Sequence, residues 1–519
     1  MKKFTNVFLI SVSLAIIFIA WGAMEKSKLW DIFPGWELSN VTNVIQTFII
    51  DKFGWFYLLA ATSFLIFALT LIFTRFGNIR LGKDADRPDY SYLSWFAMLF
   101  SAGMGIGLVF WGVAEPMYHY YGPPVGEGQT VESAKVAIRY SFFHWGLHPW
   151  AIYTLIGLAL AYFKFRKGAS GVISSIFRPI FGDKINGPLG TTIDVIAVFA
   201  TIFGVATSLG FGASQISGGL SYLFPIIVND ETTQLVVILI VTVLFMLSAQ
   251  TGLNKGIKYL SNINIILAIS LMLFLLFAGP TNFIMNMFTT SIGSYLQNLP
   301  SMSFKLNPFE QLSLGEGEST FAQGWTIFYW AWWIAWAPFV GTFIARISKG
   351  RTVREFVIGV LAVPTLFGGL WFSVFGGSAI YLDQIKNAGI KAVMDAQGKE
   401  VALFSVLEQF PLGFFMSLLA ILLISTFFIT SADSATFVLG MQTTNGSLHP
   451  SNFIKFIWGI IQSSAAAVLL WFGGLGALQT ASIIAAFPFT IIMILMMFSL
   501  LKSFRTEKIP TRIKPNNEE

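Results

Sequence analysis

Four tryptophans lie within seven positions of the segment GWTIFYWAWWIAWAPF, residues 324–339. At about 100° per residue, Trp330, Trp332, Trp333 and Trp336 fall within an arc of about 160° on one face of a helix. Tryptophans of membrane spans usually mark the headgroup level, whereas these lie near the middle of an apolar stretch. Pro338 follows them and can loosen the helix just beyond.

A second aromatic set occurs in HWGLHPWAIY, where Trp145, Trp150 and Tyr153 share an arc of about 140° on a helix. The face of tryptophan is the best side-chain partner for a quaternary ammonium group, which has no N–H to donate. Two such clusters predict an aromatic box that holds a trimethylammonium head without a buried counter-carboxylate. The alternative is aromatic packing between helices, and this is the role we expect for Trp330.

Two segments predict interrupted helices and a buried polar site. SAGMGIG places Gly103, Gly105 and Gly107 in five positions, at about 1 kcal/mol each against a helix. TFFITSADSATF surrounds Asp433 with hydroxyl side chains. Irregular backbone inside a membrane must face protein or water, and an intramembrane acid is a functional candidate. The alternatives are close helix packing by small residues and hydroxyls that bond their own backbone.

The remaining reactive side chains argue against an enzyme. The chain has no cysteine and only four histidines. His144 and His148 are spaced i,i+4 with no acid close in sequence, so we interpret them as a gate or packing feature. We also find no repeated charged or carbonyl motif of the kind that forms a channel filter.

These segments belong to an integral membrane protein. Of the 519 residues, 55% are hydrophobic and 11% are charged, far below the roughly 25% charged of a soluble domain. The net charge of +6 requires no nucleic-acid partner. Apolar windows of helix length predict twelve spans, near residues 7–23, 53–74, 91–114, 140–163, 191–222, 233–250, 257–279, 321–344, 356–378, 412–440, 453–473 and 480–501.

The distribution of basic residues predicts the orientation. With both termini in the cytoplasm, 23 of the 32 Lys and Arg residues fall in inner segments, as the positive-inside rule requires. Residues 280–320 are too polar to span and form either an interfacial or an ordinary extracellular helix. The tail after Leu501 is predicted to be disordered.

The chain resembles the betaine/carnitine/choline transporter family. The resemblance rests on GWTIFYWAWWIAWAPFVGTFIARISKGRTVREFVIG, RFGNIRLG, MGIGLVFWGVAEP, HWGLHPWAIY, ATIFGVATSLGFGASQI and FFITSADSATFVLG, and therefore covers nearly the whole chain. It implies an all-α protein whose last ten spans form a LeuT-type 5+5 inverted repeat, spans 3–7 and 8–12, after two extra N-terminal helices. It also implies a homotrimer, and discontinuous or distorted third and tenth spans around a central site.

On this basis the chain divides into five parts. Residues 1–88 hold the cytoplasmic N-terminus and two peripheral spans, and residues 89–280 hold the first repeat. Residues 281–320 form the extracellular interfacial helix and loop, residues 321–502 the second repeat, and residues 503–519 a short cytoplasmic tail.

The resemblance also implies the residues that bind substrate. Trp145, Trp150, Tyr153 and Trp333 match the family's aromatic box, while Trp332 and Trp336 match residues of the cytoplasmic path and the substrate's surroundings. Ser208 in the fifth span belongs to the same expected set. Backbone amides of Gly103, Gly105 and Gly107 would face the substrate carboxylate. Choline-preferring members tend to carry Asp where this chain has Gly107, which favours a betaine.

Sodium is the coupling ion that the resemblance implies. One site would use the carbonyls of Ser101, Met104 and Phe427 with the hydroxyls of Thr430 and Ser431. Sodium-independent members carry a basic residue in the fifth span, and this chain has none between Lys184 and Lys255. A possible second site keeps Thr201 and Phe339, but Val205 replaces a threonine, which leaves the two-sodium stoichiometry open.

The expected function is thus a secondary symporter in the plasma membrane that imports glycine betaine with sodium as a compatible solute, with no cofactor. The alternative within the family is a carnitine or choline transporter or exchanger. The short tail gives no basis for assuming osmotic activation through it.

Overall fold

The computed structural model describes residues 4–508 apart from 104, 252, 253 and 315–317, and only the backbone of 100–103, 250–251 and 254–259. This part of the chain is helical and holds no β-strand, although an isolated antiparallel bridge joins Arg80 to Thr352. Its α-helices are α1 (Asn6–Ala23), α2 (Leu38–Phe73), α3 (Tyr92–Gly103), α4 (Ile106–Tyr121), α5 (Val131–Trp145), α6 (Leu147–Ala161), α7 (Arg178–Phe181), α8 (Pro188–Leu223), α9 (Glu231–Thr251), α10 (Asn254–Ala278), α11 (Thr281–Ser303), α12 (Pro308–Ser313), α13 (Ile327–Ile347), α14 (Val353–Lys386), α15 (Ile390–Gln397), α16 (Ala402–Leu407), α17 (Gly413–Gln442) and α18 (Asn452–Phe504).

Ten helical stretches of the described residues are long and apolar enough to cross a membrane. The prediction of a multi-span, all-helical membrane protein is confirmed, while the count of twelve stays a prediction. Two differences explain why ten stretches are found where twelve spans are predicted. The third predicted span is divided between the shorter α3 and α4, and the last two predicted spans share the 53-residue α18. Inside α18 the backbone breaks at Gly474, whose φ of 56° and ψ of −146° belong to a region that only glycine enters readily.

The predicted interruption of the third span is confirmed. α3 ends at Gly103 and α4 begins at Ile106, with Gly105 in an extended conformation as the residue before α4. This gap brings backbone to the centre of the helical bundle, where lipid does not reach it.

The predicted interruption of the tenth span is wrong. α17 runs unbroken from Gly413 to Gln442. Thr426, Thr430 and Thr436 each donate their hydroxyl to the carbonyl four residues earlier, at 2.8–2.9 Å. The hydroxyls are therefore satisfied by the helix itself, and nothing forces the backbone open.

The fourth predicted span is not the single helix that the aromatic arc assumed. α5 ends at Trp145, α6 begins at Leu147, and Gly146 between them has non-helical angles. A Cβ on Gly146 would lie 2.4 Å from the carbonyl oxygen of Phe142, so the break requires glycine. Pro149 then sits in the first turn of α6, where no N–H is needed.

The polar segment before the eighth span forms α11, which is absent from the ten apolar stretches and packs against α5 and α14. The predicted disorder of the tail is wrong over its first part, because α18 continues to Phe504 and Glu507 is held in place. Its carboxylate accepts from Arg166 Nε at 2.7 Å and from Lys167 Nζ at 2.6 Å. The predicted tail residues 509–519 lie outside the described residues.

Candidate functional site

A cavity of about 710 Å³ lies at the centre of the bundle, between α3, α4, α5, α6, α8, α10, α13, α14 and α17. This size is in the range of small-molecule sites. It extends from Gly107 to Tyr90 and Phe343, at the ends of α3 and α13 that face the chain termini. The termini are placed on this side by two contacts: Thr5 bonds the carbonyl of Thr443, and Glu507 binds Arg166, which bonds the carbonyl of Gly82.

The opposite end of the cavity is closed by side chains. Trp111 packs edge-on against Trp325 at 5.5 Å and against Phe211 at 5.7 Å. Lys399, from the segment between α15 and α16, places its Nζ 5.4 Å from the centre of the Trp111 ring. Burial lowers the pKa of Lys399. The cavity is thus accessible from the terminus side and blocked on the other.

The two aromatic sets of the sequence meet in the cavity wall. Trp145 and Trp333 pack edge-on with ring centres 4.7 Å apart, Tyr153 and Trp333 at 6.1 Å, and Trp150 and Tyr153 at 5.5 Å. Trp332 stacks on Trp333 at 4.9 Å. The rings therefore form a continuous aromatic surface, hereafter the aromatic box (Trp145, Trp150, Tyr153 and Trp333), even though Gly146 breaks the helix between its members.

Hydrogen bonds fix the indoles of the wall. Trp333 donates Nε1 to the carbonyl of His144 at 2.9 Å, and Trp336 donates to the carbonyl of Gly204. Trp332 Nε1 has no partner within the described residues. Trp330 does not line the cavity: its ring stacks on His148 at 5.1 Å and 15°, the packing role expected for it.

Glycine is required where α4 passes the tryptophans. A Cβ on Gly107 would lie 2.4 Å from Cη2 of Trp332 and 3.2 Å from Cη2 of Trp145. A Cβ on Gly105 would meet no atom of the described residues within 4 Å. Both glycines line the cavity, as does Ser208, while Gly103 is described only as backbone at the end of α3.

Three of the five expected sodium ligands line the cavity, and the side chains of the other two are not described. Phe427, Thr430 and Ser431 line the cavity, and the Thr430 hydroxyl accepts from Asn264 Nδ2 at 3.0 Å. Met104 lies outside the described residues, and Ser101 is described only as helical backbone.

Of the two residues expected at a possible second sodium site, Thr201 and Phe339, only Phe339 lines the cavity. Thr201 is buried and donates its hydroxyl to Ala197 O at 2.8 Å, with Gln442 Oε1 at 3.4 Å. Phe339 lines the cavity and packs on Trp336. The acid singled out in the sequence, Asp433, accepts from Ser248 Oγ at 2.6 Å and is not among the residues lining the cavity.

Sequence reasoning missed a buried carboxylate behind the aromatic box. Glu115 of α4 has no exposed surface. Its oxygens accept from Trp145 Nε1 and the Tyr329 hydroxyl and lie within hydrogen-bond distance of His119 Nε2 and His144 Nδ1. Glu115 does not line the cavity, so the expectation of a box that holds its ligand without a counter-carboxylate stays a prediction. The acid beside His144 comes from 29 positions away, where a search for acids close in sequence does not reach. The signal was available, because an acid within a span and a histidine four residues later already mark a polar helix face.

His144 and His148 do not act as a pair. His144 bonds Glu115 and the hydroxyl of Thr326, at 2.7 and 3.0 Å. His148 Nε2 faces the hydroxyls of Thr62 and Ser303, at 3.4 and 3.2 Å. Because the helix breaks at Gly146, between the two histidines, their rings reach different partners.

Comparison with known proteins finds similarity to transporters of small zwitterionic solutes. A family model described as BCCT, betaine/carnitine/choline family transporter, matches residues 6–509. The glycine betaine transporter OpuD of Bacillus subtilis is 55% identical over 509 residues, 98% of this chain and 96% of that protein. A probable glycine betaine transporter of Desulfitobacterium hafniense is 47% identical over 98% of both chains. An ectoine/hydroxyectoine transporter of Virgibacillus pantothenticus is 45% identical over 87% of this chain and 88% of its own.

Proposed function

The chain belongs to the betaine/carnitine/choline family of transporters, and from this premise we propose that it imports glycine betaine by sodium-coupled symport. It is a transporter and not an enzyme. The relatives named as glycine betaine transporters support the choice of substrate.

The aromatic box is the observation that carries the proposal. Its rings line one cavity, and the centres of neighbouring rings lie 4.7–6.1 Å apart. A trimethylammonium group cannot be held by hydrogen bonds, and the faces of indole and phenol rings attract it instead. The carboxylate of the substrate would lie toward the open backbone between α3 and α4, where the N–H groups at the start of a helix favour an anion.

Choline is the less favoured substrate. An acidic side chain at position 107, which would neutralise a ligand without its own carboxylate, has no room beside Trp332 and Trp145. A zwitterion brings its own negative charge and needs no side chain there. The same argument weighs against exchange of choline or other purely cationic substrates.

Sodium coupling is proposed from the oxygen-rich part of the cavity. Phe427, Thr430 and Ser431 of α17 supply carbonyl and hydroxyl oxygens, the ligand type that a hard cation prefers. Coupling to one sodium ion is favoured, because Val205 has no side-chain oxygen with which to complete the second site.

The larger-scale features complete the proposal. We place both termini in the cytoplasm and the protein in the plasma membrane, as a homotrimer with a LeuT-type inverted repeat. The cavity open on the terminus side would then be the inward-facing state of an alternating-access cycle, and accumulation of glycine betaine would protect the cell against osmotic stress.

Uptake of radiolabelled glycine betaine into proteoliposomes tests substrate and coupling together. We expect saturable uptake that rises with an inward sodium gradient and falls to background when potassium replaces sodium. Uptake that does not depend on sodium would contradict sodium coupling. Saturable uptake of choline but not of glycine betaine would show that choline is the substrate instead. An unlabelled panel of carnitine, proline betaine, ectoine and choline as competitors ranks the related ligands.

A further inference from the structure

Glu115 forms the centre of a buried hydrogen-bond network directly behind the aromatic box. Its Oε2 accepts from Trp145 Nε1 at 2.7 Å and from the Tyr329 hydroxyl at 2.6 Å. Its Oε1 lies 2.7 Å from His144 Nδ1 and 3.1 Å from His119 Nε2. Trp145 lines the cavity whereas Glu115 does not, so the indole stands between the carboxylate and the ligand space.

The network keeps Glu115 in its charged form. An indole N–H can only donate, so Oε2 is an acceptor in every protonation state of its neighbours. Four donors around one carboxylate favour the anion, since each hydrogen bond to a charged acceptor is stronger than one to a neutral acceptor.

The two histidines beside Glu115 can both be neutral, so they do not cancel the negative charge of its carboxylate. His119 Nδ1 has no partner in the described part of the chain, and a buried N–H without an acceptor is costly, which favours a neutral His119 that donates through Nε2. His144 can also be neutral, donating through Nδ1 and accepting the Thr326 hydroxyl at Nε2. Lys399 lies over the ring of Trp111, which is one helical turn before Glu115 in α4.

The geometry points to Glu115 as the buried counter-charge for the ammonium group of the substrate, acting through the indole of Trp145 rather than by contact. A carboxylate bonded to the indole N–H makes the ring face more negative, and in a poorly solvated interior its own field also reaches the ligand. Glu115 is thus a positioning residue for Trp145 and Tyr329 and also a determinant of preference for a positively charged nitrogen. This inference rests on the proposed function.

Two ligands of equal shape separate charge from fit. Glycine betaine and 3,3-dimethylbutanoate have the same skeleton, but a neutral carbon replaces the nitrogen in the second. Their dissociation constants are measured on the purified full-length protein, by direct binding of radiolabelled glycine betaine and by competition. We expect E115Q to lower the preference for glycine betaine over its carbon analogue by about tenfold. A loss of fit alone would weaken both ligands equally, leave the preference unchanged and overturn the inference.

Tyr329→Phe is the matched control. It removes one hydrogen bond to Glu115 but leaves the carboxylate, its charge and the ring at position 329, so the preference should stay within about twofold of wild type. A loss of preference in Tyr329→Phe as large as in E115Q would assign the effect to disturbed packing and overturn the inference.

A second variant serves if E115Q does not fold. Trp145→Phe keeps a ring but removes the N–H that joins it to the carboxylate, and a Trp145→Phe protein with wild-type preference contradicts the inference. If the wild-type protein binds neither glycine betaine nor choline, the proposed function fails. If it binds glycine betaine and E115Q keeps the full preference, only the counter-charge role fails.

Discussion

At the scale of single residues, Gly107 shows how little space the site leaves around its tryptophans. The position is buried between Trp332 and Trp145, and an added methyl group would overlap the first ring. Since Trp332 stacks on Trp333, a displaced Trp332 would carry the disturbance into the aromatic box. The glycines of this segment therefore differ in function although they read alike in the sequence.

Substitution by alanine tests this difference. Gly107→Ala should raise the KM for glycine betaine uptake by about tenfold, because an overpacked wall costs roughly 1–3 kcal/mol. Gly105→Ala, two residues away and with open space around its Cβ, is the control and should leave the KM nearly unchanged. Equal effects of the two variants would mean that loss of backbone freedom, not contact with Trp332, makes glycine necessary here.

At the scale of elements, the end of α18 is anchored to the π-helical turn Tyr162–Arg166 that follows α6. Glu507 has a side chain only 6% exposed, and it binds both Arg166 and Lys167. Burial alone would raise the pKa of Glu507, but hydrogen bonds from Lys167, Tyr162 and Arg166 outweigh it and lower that pKa from its ordinary value of 4.5. The carboxylate therefore stabilises the folded protein above pH 4.5, and this contribution is lost as the pH falls through the lowered pKa.

Thermal unfolding at two pH values measures this anchor. Glu507→Gln should lower the unfolding midpoint at pH 7 by about 2 °C, and the difference from wild type should shrink as the pH falls below 4.5. Glu132→Gln removes an exposed partner of Lys135 and should change the midpoint little at either pH. A Glu507→Gln deficit that persists unchanged in acid would show that packing, rather than charge, holds the end of α18.

At the scale of the whole molecule, the described residues leave the cavity open toward the side of the chain termini and fill its opposite end. The open end reaches Phe343 and the closed end is filled by Trp111, Trp325 and Lys399. A carrier must exchange this arrangement for its opposite during each cycle. The sides can be distinguished chemically, because the chain has no cysteine of its own.

Single cysteines report which side is open. Phe343→Cys should react with a membrane-impermeant maleimide applied from the side of the chain termini, and glycine betaine with sodium should slow the reaction. Val125→Cys, at a 63% exposed position in the loop between α4 and α5, should react from the opposite side at a rate independent of substrate. Labelling of Phe343→Cys from the side that labels Val125→Cys would reverse the assignment of the open end.

The sequence by itself determined the class of this protein, the interruption after α3 and the residue types of the aromatic box. Apolar length, glycine spacing and ring chemistry are local properties, and they survive any arrangement of the helices. Only the tertiary structure brought Glu115 to His144 across 29 positions and broke the helix at Gly146. The sequence left two outcomes open for α17, and the structure shows the continuous helix, in which the hydroxyl groups bond their own backbone. The contact between Glu115 and His144 could not be read from the sequence, because it depends on packing between segments far apart in the chain.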